Sequence, residues 1–188
     1  MNIIKRPSND HFLDTYRKEI VVLHGTAGGS EIGAHTTLDK PDKVDVPYLI
    51  ARSGTIVERF DPKYWAYHTG KSGICKISIG IENVWWGWVN KVGGKFYSWT
   101  NKEVPADEVI ELPTFCGKRH YHTLTQEQIY SNYWLILQLK KRFPTLKEVN
   151  THTKYSNMRY DFPPLFPDIE YLKTALTASP IEDRFNVS

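Results

Sequence analysis

The chain has 188 residues, 40% of them apolar and 24% charged, a balance that suits one globular domain around a single sizeable core. A formal net charge of +3 without any Lys/Arg-rich block gives no electrostatic case for nucleic acid. There is no run of about 18 apolar residues to span a membrane, and the N-terminal "MNIIKRPSNDHFLD" has neither an apolar h-region nor a small-residue cleavage site. Neither a membrane association nor a secretory signal is therefore expected, and synthesis in the cytoplasm is. The two cysteines, Cys75 and Cys116, form no framework and no C-x-x-C pair, so free thiols are expected. Six Trp and eleven Tyr suit packing and a sugar- or peptide-binding groove equally well.

The first clear element is "EIVVLH" (19–24), which reads as a buried strand ending on His24. "TAGGSEIGAHTTLDKPDK" reads as loop with at most a short helix. "VPYLIA" and "TIVERF" flank "RSG", which predicts a hairpin with Gly54 in the turn. "DPKYWAYHTGKSG" reads as loop and "ISIGIENV" (77–84) as a second apolar strand. Residues 85–116 are irregular, with "NKVGGKFYSW" as a hairpin candidate. "TLTQEQIYSNYWLILQLKKRF" is the strongest helix. Thr125 and Gln128 have capping-box spacing, Ile129, Tyr133, Ile136, Leu137 and Phe143 share one face, and Pro144 ends it. "PDIEYLKTALT" predicts a short final helix. Strands mixed with helices imply an α/β domain, a central mixed sheet flanked by helices.

No local motif joins any of the seven histidines, so a metal site has to be assembled from distant segments. His24 follows a strand, His152 follows "KEVNT", and Asp161 opens the proline-stiffened "DFPPLFP". Two His and one carboxylate form a catalytic zinc set with the fourth position left to water. The same residues also fit a plainer reading, as hydrogen-bonded polar groups at strand and turn ends. In "SIGIENV", Ser78, Gly80 and Glu82 lie on one face and Ile77, Ile79 and Ile81 on the other. Glu82 is then either a general base of raised pKa or an ordinary solvent-facing carboxylate.

Five segments in order resemble the zinc-dependent N-acetylmuramoyl-L-alanine amidases of the type 2 class, a group that includes phage endolysins and is related to peptidoglycan recognition proteins. They are "VVLHGTA", "YLIARSGTIVERF", "AYHTG", "KISIGIENV" and "RFPTLKEVNTH" with "RYDFPPLF". The resemblance covers roughly residues 21–166. It implies one amidase domain over 1–188, with 85–119 as an insert that walls or covers the cleft and 167–188 as a C-terminal helix and tail. It implies zinc held by His24, His152 and Asp161, with Glu82 as catalytic carboxylate. Arg159, or alternatively His68, stabilises the oxyanion. His68, Tyr48, Trp65, Trp85 and Thr26 are the implied substrate-binding residues, for the glycan and stem peptide of peptidoglycan. The chain departs from the family pattern at Val46 and Pro47, where other members carry Tyr or His, and in "DFPPLF", where Pro-Gly usually follows the Asp. The implied reaction is hydrolysis of the amide joining N-acetylmuramic acid to L-alanine. The implied setting is a monomeric endolysin made in the cytoplasm and released to the wall. A non-catalytic peptidoglycan-binding module and a zinc peptidase acting within the stem are the alternatives.

Overall fold

The two apolar runs become neighbouring parallel strands, β2 (Ile20–Gly25) and β5 (Ser78–Asn83), at the centre of a six-stranded mixed sheet. The computed structural model describes residues 3–156, 161–163 and 166–178. The sheet order is β1-β4-β3-β5-β2-β11, adding β1 (Ile3–Lys5), β3 (Tyr48–Ile50), β4 (Ile56–Glu58) and β11 (Glu148–Thr151). β3, β5, β2 and β11 run parallel, and β4 returns antiparallel to β3 through the expected Gly54 turn, where φ is +80°. Central strands buried on both faces favour continuous apolar runs, as in β2, whereas β5 is buried throughout yet alternates its isoleucines with Ser78, Gly80 and Glu82.

β1 pairs in parallel with β4 and was not foreseen, because three residues carry no readable periodicity. Helix α1 (Glu31–Leu38) is the short helix anticipated in the 26–43 stretch, and Ser30 caps it. Helix α2 (Ser72–Ile77) forms inside a segment that reads as loop. The irregular stretch contains the expected hairpin, β6 (Asn90–Val92) and β7 (Lys95–Tyr97), extended by β8 (Glu103–Val104). It also contains a second, unexpected hairpin of β9 (Val109–Phe115) and β10 (Lys118–His122).

Helix α3 (Gln126–Arg142) has the predicted capping box between Thr125 and Gln128. Its buried face is rotated from the apolar stripe, however. Gln128, Ser131 and Asn132 sit in the centre of that face beside Leu135, Ile136 and Leu139. The polar trio is tolerated because each finds a partner: Gln128 donates to the Val84 carbonyl (3.0 Å), Ser131 to the Gly54 carbonyl (2.6 Å) and Asn132 to Asn83 Oδ1 (2.7 Å). Ile129, Tyr133 and Phe143 flank the core instead. α4 (Asp168–Thr174) is the predicted final helix and buries Ile169 and Leu172. The main core joins Val21, Leu23, Ile79 and Ile81 of the sheet to these two helices. Cys75 is a buried and Cys116 an exposed free thiol.

Candidate active site

Strand alternation decides which side chains face the cleft. Val21 and Leu23 point into the helical core, so His24 points to the opposite face of the sheet. The register His24↔Glu82 sets Glu82 beside it on β5. The register Thr151↔Leu23 on β11 sets His152, one residue later, level with His24. Three chemistry-bearing side chains thereby share the carboxyl ends of three adjacent parallel strands. Open α/β sheets place ligand crevices at that end.

A cavity of about 280 Å³ opens there, and its lining includes His24, Thr26, His68, Glu82, His152 and Asp161. His24 Nδ1 lies 3.0 Å from His152 Nδ1, and Asp161 Oδ2 lies 3.0 Å from His152 Nδ1 and 3.7 Å from His24 Nδ1. These ligand atoms all fall within 4.8 Å of one another. Two atoms bound to one zinc ion at tetrahedral angles are about 3.3 Å apart, given bonds of about 2.0–2.2 Å. The three separations bracket that value, and an N, N, O donor set suits zinc. The residues therefore fit the metal. Burial acts to raise the Asp161 pKa, but the adjoining His152 and His24 imidazoles outweigh it and hold the carboxyl well below its usual range. Asp161 is thus a carboxylate, the form that binds a cation.

His68 reaches the site from the loop before α2. Its Nδ1 lies 2.9 Å from His24 Nε2 and its Nε2 3.0 Å from Ser78 Oγ. Burial, then the charges of His24 and His152, push its pKa well below the ordinary histidine value. The Ser78–Gly80–Glu82 alternation now has a physical reading. Ser78 bonds His68, Glu82 lines the cavity, and a Cβ on Gly80 would sit 3.1 Å from His68 Nδ1 and 2.7 Å from Val46 Cγ1.

Thr26 lines the cavity, and its hydroxyl organises the turn below it. It accepts from the Trp85 N–H (3.1 Å) and donates to the Gly28 carbonyl (2.9 Å). The three aromatic residues expected in the groove are elsewhere. Tyr48 is buried, with its hydroxyl donating to Glu58 (3.1 Å). Trp65 is buried against Phe12, ring centroids 4.2 Å apart. Trp85 is 1% exposed, stacked on Phe162 at 4.6 Å and 4°, with its indole N–H on the His122 carbonyl. All three rings are used as core, and sequence alone does not separate that use from a cleft wall. Arg159 lies outside the described residues.

Two features of the site have no signal in the sequence. Asp45 lines the cavity while its carboxylate is tied to buried Arg59 at 2.6 and 3.1 Å. Arg59 also donates to the Leu38 carbonyl at 3.0 Å, which fixes the end of α1 at the cavity edge. From the other side, the exposed Trp99 beyond β7 donates its indole N–H to the carbonyl of cavity-lining Ala27. The 85–119 segment is thereby anchored to the lip of the cleft.

The mixed sheet with a two-histidine, one-carboxylate cluster at its carboxyl end defines the class: an α/β domain with a candidate metal site. The chain matches the N-acetylmuramoyl-L-alanine amidase family over residues 14–163, and it belongs to that family. No curated protein sequence matches it. Among solved structures it resembles the N-acetylmuramoyl-L-alanine amidase LysC from Clostridium intestinale, at 15% identity and TM-score 0.57, covering 95% of this chain and 99% of that one. It resembles PlyL at 12% identity and TM-score 0.62, covering 93% and 99%. It also resembles the amidase AmiD from E. coli, solved with anhydro-N-acetylmuramic acid-L-Ala-D-gamma-Glu-L-Lys, at 22% identity and TM-score 0.60, covering 87% of this chain and 59% of that one.

Proposed function

We propose that this chain is a zinc-dependent N-acetylmuramoyl-L-alanine amidase that cleaves the bond between the muramic acid lactyl group and L-alanine in peptidoglycan. The observation that carries the reading is the convergence of His24, His152 and Asp161 beside Glu82 in one cleft, within a chain of this family. Those three residues hold the ion. A zinc ion there supplies Lewis acidity, activating water at neutral pH and polarising the scissile carbonyl. Glu82 accepts the proton of the attacking water and passes it to the departing L-alanine amine. Arg159 is the residue to which oxyanion stabilisation is assigned, through its fixed positive charge. Thr26 and the wall anchored through Ala27 and Trp99 hold the glycan and stem peptide. The biological role is that of a monomeric, phage-type endolysin. An endolysin amidase from Clostridium intestinale and a mutant endolysin from Bacillus subtilis share the fold, at 15% and 18% identity. Among the described residues no helix is long and apolar enough to cross a membrane.

The test is digestion of purified peptidoglycan, followed by mass spectrometry and assay of new amino termini. Release of stem peptides beginning with L-alanine, abolished by a chelator and restored by zinc, is the expected result. Cleavage inside the stem would make the protein a peptidase. Binding with no new amino termini would make it a recognition module.

A further inference from the structure

The hydrogen bonds leading from α2 to His24 have a polarity that can be read atom by atom. Ser78 Oγ lies 2.6 Å from the Ile74 carbonyl oxygen, which only accepts, so the single hydroxyl proton is committed there. Toward His68 Nε2, at 3.0 Å, Ser78 Oγ then acts as acceptor, and Nε2 carries the hydrogen. A neutral imidazole protonated at Nε2 presents a lone pair at Nδ1. That lone pair faces His24 Nε2 at 2.9 Å, so His24 Nε2 is the donor of this bond. His24 Nδ1 is left as a lone pair directed at His152 Nδ1 and Asp161 Oδ2. The opposite polarity would put a hydrogen on His24 Nδ1, inside the cluster of ligand atoms.

We propose that His68 and Ser78 are positioning residues that hold His24 in its Nε2–H tautomer and so present Nδ1 to the metal. This rests on the zinc reading of the site. It also gives His68 a different task from oxyanion stabilisation, since both of its nitrogens are engaged within the protein. The backbone supports this role. The His68 and Thr69 N–H groups both donate to buried Cys75 Sγ at 3.4 Å, which fixes the loop, and Gly80 leaves room for the ring. A ligand histidine that donates its second N–H to a fixed acceptor is held in tautomer and orientation, and losing such a partner typically weakens metal binding about 10–100-fold.

The experiment combines zinc titration of the metal-free protein against a chromophoric chelator with 15N NMR of the histidine rings. His68→Phe should weaken zinc binding about 10–100-fold. His68→Gln, whose amide oxygen can accept from His24 Nε2, should recover most of that loss. Ser78→Ala covers the case of a His68→Phe protein that does not fold, and should weaken zinc binding by a smaller factor. In the metal-free wild type the His24 ring should show the Nε2–H tautomer, and in His68→Phe and Ser78→Ala a mixture. An Nδ1–H tautomer for His24 in the wild type would overturn the proposal. So would zinc affinity in His68→Phe or Ser78→Ala within twofold of wild type. If the wild type takes up no zinc, the zinc reading fails separately, and the 15N spectrum still decides the tautomer.

Discussion

Among the described residues, two histidine–carboxylate clusters, one around His122 and one around His24, differ in how their polar atoms are matched. In the first, His122 accepts the Trp86 N–H at Nδ1 (3.3 Å) and donates from Nε2 to Glu108 (2.8 Å), while Arg52 neutralises Glu108 at 2.8 Å. Each donor has an acceptor and each charge a counter-charge, so the cluster is complete as it stands. In the second, His24 Nδ1, His152 Nδ1 and an ionised Asp161 oxygen face one another. Three electron-rich atoms turned toward one point are stabilised by a cation between them. The contrast between a closed network and a converging set of lone pairs separates a structural histidine from a ligand histidine. Burial does not, since His122 and His24 are each 3% exposed.

The sharpest way to break the comparison is to remove the cation or its ligands. Chelation, or His152→Ala, should abolish amide hydrolysis, a loss on the order of a thousandfold or more. Metal analysis should fall from about one zinc per chain to none. His122→Gln should leave the metal content unchanged, and a loss of zinc there would erase the distinction. The next effect is at Glu82. Glu82→Gln should retain zinc while lowering turnover about 10²–10⁴-fold, as expected for a general base. Near-normal turnover would remove it from the reaction.

A third prediction concerns stability and pH at the closed cluster. Burial first, then the Arg52 charge, pushes the His122 pKa down to about 4 from the ordinary histidine value of 6.5. Between those values the unfolded chain binds the proton and the folded chain does not. Stability should therefore fall as pH drops from about 6.5 to 4, by about 3 kcal/mol from this residue. Urea titrations should show this slope in the wild type and a shallower one in His122→Gln. The smallest predicted effect lies where the two clusters meet. Gly25 follows His24, and a Cβ there would collide with the Trp85 ring, whose indole holds the His122 carbonyl. Gly25→Ala should cost about 1–3 kcal/mol. A thermal shift would detect it, and an unchanged midpoint would mean that the ring moves freely.

Much of this contrast was legible in the sequence at the level of pattern. The apolar run before His24 predicts its strand, and the alternation in "SIGIE" predicts the shared face of Ser78, Gly80 and Glu82, because strand geometry is local. Position at strand and turn ends put His24, His152 and Asp161 forward as one of two readings, and the family resemblance decided for the metal set. What was not legible depends on partners far away in the chain. Ser78 has a task only once His68 lies above it, and Gln128, read only as a capping residue, gains its second role when its amide meets the Val84 carbonyl. Trp65 and Trp85 look identical in sequence whether they line a groove or fill a core. Chain direction and register were equally silent, although they set His24 beside Glu82.

The stacking of Phe162 on Trp85 has a consequence for the choice of ion. His24 is placed by a backbone ladder, whose spacing is set by covalent geometry and hydrogen bonds, and His152 follows directly on Thr151, the last residue of that ladder on β11. Asp161 takes its place from the neighbouring Phe162, which packs by ring contact with a left-handed backbone at φ +49°. A ladder fixes its residues through many directional hydrogen bonds, whereas Phe162 is held by ring packing and one hydrogen bond from Thr153 to its carbonyl (3.1 Å). The site therefore pairs two unyielding nitrogens with one compliant oxygen. Such a site accommodates divalent ions of somewhat different radius by moving the carboxylate alone. Cobalt or manganese replacing zinc should be read out at Asp161, with the imidazoles unmoved.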